Sequence, residues 1–519
     1  MSEKILVRGV NWIGDAVMSL PALKALRKAC PESSISLLVK PSIAPIFDRN
    51  PDIDEIILYG EEFKGITGRL RLAGVLRGKG FSRAILFQNA FDAALIAFLA
   101  GIPERVGYNR DGRGMLLTGP IPFDNEDRRM HHTDYYLDLL TRAGISDSKP
   151  NPPIAPWIYL SLEERLSARN ALSELKRPIL GISPGAAYGS AKRWFPDRFA
   201  EVADWFINDT GGSVVIFGGK DEASIAEEIE KLVITQKSNN SLLVTRHSLL
   251  NLSGKTSLRE LISLISECDV ILSNDSGAMH IAYAVGTPLV AMFGSTDPKL
   301  TGPLKGVNVV LKADLACSPC FERTCRDNDM KCMYNITTDD VYLAIKKILP
   351  ERPAVFFDRD GTLCRDSGYL NRWEDFKVFP EIYSLNILKN NGFLLIGVSN
   401  QSGVARGLVD ESFAREVNKV FVSRYGFDDF YYCPHHPDEH CPCRKPEPGM
   451  LFEAREGHRI DLKASYVVGD KDSDMILAKS VGAKGIFVLT GQQEGSSHAD
   501  FVAKDLRDAV DFIVRDRGL

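Results

Sequence analysis

An α/β protein built from three parallel-sheet domains is what this sequence predicts, on three observations. Apolar strand-like runs alternate with helical segments along the whole chain. That alternation stops and restarts twice. A chain of 519 residues also exceeds what one hydrophobic core organises.

The first series opens with the buried strand "KILVRGV", the loop "NWIGD" and the helix "AVMSLPALKALRKAC", whose apolar residues fall near helical spacing. The strands "SISLLVK", "DEIILY" and "RAILF" follow, each succeeded by helical or loop sequence, as a parallel sheet requires. The proline-rich stretch at 148–157 reads as a linker. A second series then carries the strands "PILGISPG", "SVVIFGG", "DVILSND" and "PLVAMFG", with helices such as "RFAEVADWFINDT" and "SLRELISLISEC" between them. After the helix "TTDDVYLAIKKILP", a third series supplies "AVFFD", "LLIGVSN", "SYVVGD" and "GIFVLT". The predicted domains span 1–157, 158–349 and 353–519.

Composition narrows the function classes. With 25% charged residues and a net charge of -5 the chain has no overall polybasic footprint, which argues against nucleic acid as its main partner and leaves room only for local basic patches. The apolar run "AALIAFLAG" is far shorter than a membrane span, and the N-terminus lacks the apolar core of a signal peptide, so a cytoplasmic protein without a transmembrane segment is expected.

Ligands of open α/β sheets bind beyond the carboxyl ends of the strands. The loop after the first strand, "RGVNWIGDAVMS", has neither GxGxxG nor GK[ST], which weakens a nicotinamide or ATPase reading. Asp15 falls at a helix start, where an acid suits the macrodipole and could equally serve chemistry. In "SPGAAYGSAKRWF" and "SNDSGAMHIAYAVGTPLVAMFGSTDP", small residues after a strand let backbone amides approach a diphosphate, and Lys192 and Arg193 add positive charge. His280, amid small and apolar neighbours, is by default a packing residue.

These three segments together resemble the ADP-heptose:lipopolysaccharide heptosyltransferases of the heptosyltransferase II type, over roughly residues 1–349. The resemblance implies two Rossmann-like domains in a GT-B arrangement, the N-terminal one facing the core acceptor and the second holding ADP-heptose. It makes Asp15 the general base and sets Lys192, Asp275, Ser276, Gly277 and His280 around the nucleotide sugar. Arg105, Arg110 and Arg113 are candidates for an acidic acceptor. Fixed donors and Lys192 would stabilise the departing ADP without a metal.

Cysteines cluster late in the chain. Cys317, Cys320, Cys325 and Cys332, spaced C-x2-C-x4-C-x6-C, fit either a structural metal site or loop cysteines. Cys433, His435, Cys441 and Cys443, spaced C-x-H-x5-C-x-C, read as a structural zinc loop, with His436 and His440 as alternative ligands.

The third series carries the strongest chemistry. Asp358 and Asp360 close a buried strand, Ser399 and Asn400 close the next, Lys445 follows the cysteine loop, and Asp470 and Asp474 follow a later strand. Such a set offers a carboxylate nucleophile, phosphate clamps and hard oxygen ligands. The order resembles the haloacid dehalogenase superfamily phosphatases over 353–519. That implies Asp358 as nucleophile and Asp360 as general acid/base, with Asp358, Asp360 and Asp470 around Mg²⁺ and Asp474 supporting them. Ser399, Asn400, Arg444 and Lys445 would hold the substrate. Only 36 residues separate Thr362 from Ser399, too few for a large cap, so a small polar phosphate ester fits an open site.

With the zinc loop, "DRDGT" and "CRKP", this part is similar to D-glycero-D-manno-heptose 1,7-bisphosphate 7-phosphatases and to histidinol-phosphate phosphatases. The expected whole is a bifunctional enzyme of lipopolysaccharide inner-core synthesis. It would transfer heptose from ADP-heptose to the core acceptor at the inner membrane face and dephosphorylate heptose bisphosphate. The alternatives are a phosphatase acting on histidinol phosphate, and an N-terminal half that binds sugar nucleotide or core without catalysis.

Overall fold

The computed structural model describes residues 3–147, 155–237 and 248–519, so residues 148–154 of the expected linker lie outside the described part. Two compact units emerge: 1–160 with 168–348, and 161–167 with 349–519.

The first unit holds two six-stranded sheets. One comprises β1 (Lys4–Arg8), β2 (Ser34–Val39), β3 (Glu55–Leu58), β4 (Arg83–Leu86), β5 (Glu104–Tyr108) and β6 (Gly119–Ile121), in the order β3-β2-β1-β4-β5-β6. The other comprises β7 (Ile179–Ser183), β8 (Ser213–Ile216), β9 (Leu249–Asn251), β10 (Val270–Asn274), β11 (Leu289–Phe293) and β12 (Asn308–Lys312), in the order β12-β11-β10-β7-β8-β9. The second unit repeats the pattern with β13 (Ala354–Phe357), β14 (Leu394–Asn400), β15 (Asp429–Cys433), β16 (Tyr466–Gly469), β17 (Lys484–Val488) and β18 (Phe501–Ala503), ordered β15-β14-β13-β16-β17-β18. Counted within its own sheet, each order is 3-2-1-4-5-6, and the central pairs β1/β4, β7/β10 and β13/β16 run parallel. The order reverses between the first and fourth strands, opening a crevice at their carboxyl ends.

The central strands are almost wholly buried because helices cover both faces. All five residues of β7 and of β10, and all four of β13 and of β16, are buried. The outermost strands are less covered: every residue of β12 is half-buried.

Four helices of the first unit matter below: α1 (Ile13–Ala29), α2 (Gly65–Lys79), α3 (Phe91–Leu99) and α4 (His132–Arg142). The start of α1 meets the start of the helix Gly277–Ala284, and glycine permits the approach on both sides. A Cβ on Gly14 would lie 2.6 Å from the His280 ring, and one on Gly277 would lie 2.9 Å from Ile13. Gly14→Ala is therefore expected to push these helix starts apart, at a cost of about 1–3 kcal/mol. Thermal unfolding of the first unit should shift down, while that of the second stays unchanged.

Candidate active sites

In the first unit, Asp15 stands in the first turn of α1, three residues past the exposed Trp12. Its Oδ1 lies 3.3 Å from Nδ1 of His132, the first residue of α4. His131 fixes that start: its Nδ1 accepts the Thr133 amide at 3.1 Å, leaving Nε2 to donate to the Gly302 carbonyl at 3.0 Å. Burial lowers the His131 pKa, consistent with a neutral ring. Asp15 and His132 open onto a cavity of about 550 Å³, which Asn11, Arg110, Arg128 and Tyr135 also line.

Arg110 stacks 4.3 Å over the Phe123 ring at this cavity. Arg105 and Arg113 stand elsewhere. Arg105 donates to the carbonyls of Leu116 and Ile102, and the fully buried Arg113 braces the Tyr108 and Gln88 carbonyls. Arg128 and His132 carried no sequence signal, since each sits in a polar stretch with no recognisable spacing.

Across from Asp15, β10 delivers Asn274, Asp275 and Ser276 to the start of the helix Gly277–Ala284. Lys192 Nζ donates to Asp275 Oδ2 at 2.5 Å, as does the Thr296 hydroxyl. Lys192 thus comes to its loop through Asp275. Asn274, which the sequence did not single out, joins the two glycine-containing loops: it accepts the Trp194 amide at 3.1 Å and donates to the Pro184 carbonyl at 2.7 Å. Ser276 Oγ lies 3.1 Å from Ser273 Oγ. Burial drives His280 down to about 4, so at neutral pH it offers an uncharged ring.

In the second unit, Asp358 follows β13 directly and its amide bonds to Val468 of β16. The buried Lys445 ammonium lies 2.8 Å from Asp358 Oδ1 and 2.6 Å from Asp474 Oδ1, and donates to the Val398 carbonyl at 3.0 Å. Burial alone would raise the Asp358 pKa, but Lys445 and Lys471 outweigh it and lower the value, keeping the carboxylate ionised. Ser399 and Asn400 end β14. Asn400 accepts the Lys445 amide at 3.0 Å and donates to its carbonyl at 3.1 Å, fixing the lysine backbone.

Asp360 points another way. Arg359 lies 2.8 Å from its Oδ2, and Gln401 Nε2 donates to Oδ2 at 2.9 Å and to Ser399 Oγ at 2.7 Å. The carboxylates that converge are those of Asp358, Asp470 and Asp474, one oxygen from each lying within 4.8 Å of the others. The Asp360 carboxylate is outside that group, held instead by Arg359 and Gln401. Gln401 escaped the sequence reading because its partners lie 41 and two residues away.

Asp470 is fully buried, with neither carboxylate oxygen hydrogen-bonded. Burial and then Asp358 push it up to about 7. Burial pushes Asp474 to about 6 against the pull of Lys445. Glycines keep the space around Asp470 clear: Cβ atoms on Gly361 (φ 90°) and Gly491 would fall 2.4 and 1.9 Å from Asp470 Oδ2. Bare, crowded, buried carboxylate oxygens are the donor set of a hard divalent cation.

The cysteine loop converges as well. Cys433 Sγ lies 3.3 Å from Cys441 Sγ and 3.5 Å from His435 Nδ1, and Cys443 Sγ lies 3.3 Å from Cys441 Sγ and 3.2 Å from His435 Nδ1. These edges approach those of a tetrahedral thiolate–imidazole site, about 3.8 Å for a metal–sulfur bond of about 2.3 Å. His436 and His440 are outside the group; His436 instead caps a short turn, accepting the Asp438 amide at 3.4 Å. Among the described residues, Cys317, Cys320, Cys325 and Cys332 do not form a comparable cluster.

Comparison with known proteins finds relatives for each of the two units. Residues 69–331 match the model of glycosyltransferase family 9 (heptosyltransferase), and residues 442–509 match that of the HAD-hydrolase-like proteins. Lipopolysaccharide heptosyltransferase 2 of Escherichia coli K12 is 34% identical over 307 residues, covering 58% of this chain and 85% of the relative. The D-glycero-beta-D-manno-heptose-1,7-bisphosphate 7-phosphatase of Yersinia pestis is 41% identical over 174 residues, covering 30% of this chain and 92% of the relative. The solved structure of E. coli ADP-heptose lipopolysaccharide heptosyltransferase II superposes with a TM-score of 0.57 at 30% identity, covering 66% of this chain and 98% of that one. Through the part that carries Lys192 and Asp275 the chain belongs to glycosyltransferase family 9, the heptosyltransferases, and behind that transferase it carries a phosphatase of the heptose-bisphosphate type.

Proposed function

We propose that one cytoplasmic polypeptide performs two reactions of lipopolysaccharide inner-core synthesis. Residues 1–157 present the acceptor and 158–349 hold ADP-heptose, while 353–519 remove the 7-phosphate of D-glycero-D-manno-heptose 1,7-bisphosphate. The observation that carries the phosphatase reading is Lys445 held between Asp358 and Asp474, beside an Asp470 whose buried oxygens have no hydrogen-bond partner.

In the phosphatase, an Asp358 oxygen attacks phosphorus and the sugar O7 departs with a proton from Asp360. Water then attacks the aspartyl phosphate, giving its proton to Asp360 and releasing inorganic phosphate and free Asp358. Lys445, with Ser399 and Arg444, offsets charge on the phosphoryl oxygens. Asp358 and Asp470 would hold Mg²⁺, which when bound neutralises phosphoryl charge. Zn²⁺ on Cys433, His435, Cys441 and Cys443 would set the loop that carries Arg444 and Lys445.

In the transferase, Asp15 takes the proton of an acceptor hydroxyl as that oxygen attacks the anomeric carbon. The bond to ADP breaks, and the departing diphosphate meets Lys192 and the amides at Ser276 and Gly277. His280 lines the same place as a neutral group.

The test is phosphate release by the full chain from heptose 1,7-bisphosphate and from histidinol phosphate, each with Mg²⁺ and with chelator. Release from the heptose ester in Mg²⁺, falling at least tenfold with chelator, is expected. Preferential turnover of histidinol phosphate would overturn the substrate assignment, which rests on relatives 41% and 38% identical that are named as 7-phosphatases.

A further inference from the structure

Residues 63–115 contain nine lysines and arginines against three acids, in a chain whose net charge is -5. Between Phe63 and Phe91 no acid occurs, while Lys64, Arg69, Arg71, Arg77, Lys79 and Arg83 all do. α2 runs through this stretch. Its inner face is ordinary, with Leu72, Ala73 and Leu76 buried. Its outer face is not: Ile66 is 76% exposed and Leu70, one turn on, 53%.

Neighbouring elements expose further apolar side chains, Phe98 on α3 at 49% and Met115 at 86%. Met115 and Ile66 are the two most exposed large apolar side chains among the described residues. α2 packs along α3, and α3 on the short turn Gly114–Leu116 that carries Met115. Arg77 donates to the Leu99 carbonyl at 2.5 Å, and Arg105 lies 5.4 Å from the Phe98 ring centre, so cations are interleaved with the apolar groups.

We propose that α2, Phe98 and Met115 form a docking face for an anionic phospholipid bilayer, lying in the interface without crossing it. Separated apolar side chains set among cations suit a surface of negative headgroups over acyl chains. The core of a protein interface would instead be depleted of charge. No helix among the described residues is long and apolar enough to cross a membrane, which agrees with a face that only rests on one. The loop that carries Met115 also supplies Arg110 to the Asp15 cavity. A docked bilayer would therefore lie beside the cavity mouth, and this benefit alone rests on the proposed transferase reading.

The test is co-sedimentation of the full chain with phosphatidylcholine vesicles, with and without phosphatidylglycerol, at low and high salt. Binding that needs phosphatidylglycerol and weakens with salt is expected. The variant Lys64→Gln/Ile66→Ser/Leu70→Ser/Arg71→Gln/Met115→Ser should lose tenfold or more in vesicle affinity, and Lys64→Gln/Arg71→Gln alone should lose a smaller part. Unchanged phosphate release and an unchanged melting curve would show that the variants fold. Equal binding to both vesicle types, or full binding by the five-residue variant, would overturn the proposal. So would a wild-type dimer that the variant breaks, since a second copy would then own the face. Vesicle binding is read without any sugar transfer, so absence of transfer would count against the transferase and leave the docking face standing.

Discussion

Asp358→Asn is expected to lower phosphate release on the order of a thousandfold or more while leaving the fold intact. The amide keeps the shape of the carboxylate but lacks its negative charge and its nucleophilic oxygen. Lys445 would then keep Asp474 as its only carboxylate neighbour, so the buried charge stays paired and global unfolding is not the expected cause of the loss. Single-turnover phosphate release on the full chain, with a melting curve as control, measures this. Retention of most of the rate would mean that the nucleophile is another group. Lys445→Met at the same site should cost stability as well as rate, because it removes the one cation within salt-bridge distance of both Asp358 and Asp474 among the described residues.

Asp15→Asn is expected to cost between about 10² and 10⁴ in heptose transfer, the usual contribution of a positioned general base. Affinity for the nucleotide sugar should hardly change, since that ligand would sit on Lys192 and the loop at Asp275, Ser276 and Gly277. His132→Ala should give a smaller loss, because the imidazole touches the carboxylate at 3.3 Å and orients it. Measuring kcat and KM for both substrates separates the outcomes. A rise in KM for ADP-heptose with kcat preserved would move Asp15 from chemistry to binding.

The strands legible in the sequence were chiefly the covered ones. β1, β7, β10, β13 and β16 each carry an apolar run of three or four residues because both faces are buried. β6, β9, β12, β15 and β18 did not, and all five are sheet edges. Three of them have only three residues, and β12 and β15 are mostly half-buried, so neither length nor apolarity marks them. β5, an inner strand, was missed because its run "ERVGY" begins with two charged residues.

The sites divided on a different principle. Acids and hydroxyls at strand ends could be found because local sequence places them at the crevice: Asp358 after β13, Ser399 in β14, Asp470 after β16. Groups that act through a partner on another element could not. Gln401 gives no motif, yet joins Ser399 to Asp360, and Asn274 ties two loops of the second sheet through its amide. His132 reaches Asp15 across 117 residues. The converse case is the C-x2-C-x4-C-x6-C segment, whose spacing fits a metal site or loop cysteines and whose sulfurs, among the described residues, do not close to within 4.8 Å of one another as the Cys433 group does.

All three sheets wind alike, yet the two key aspartates hang at different heights from the same point of that winding. Asp358 comes immediately after its strand and is 5% exposed, whereas Asp15 waits for the following helix and is 28% exposed. Depth governs what can arrive: a recessed carboxylate meets only the slender tip of an ester, while one near the rim can greet the hydroxyl of a bulky glycan. Moving either residue along its loop by a turn should therefore change the size of molecule admitted before it changes the chemistry performed.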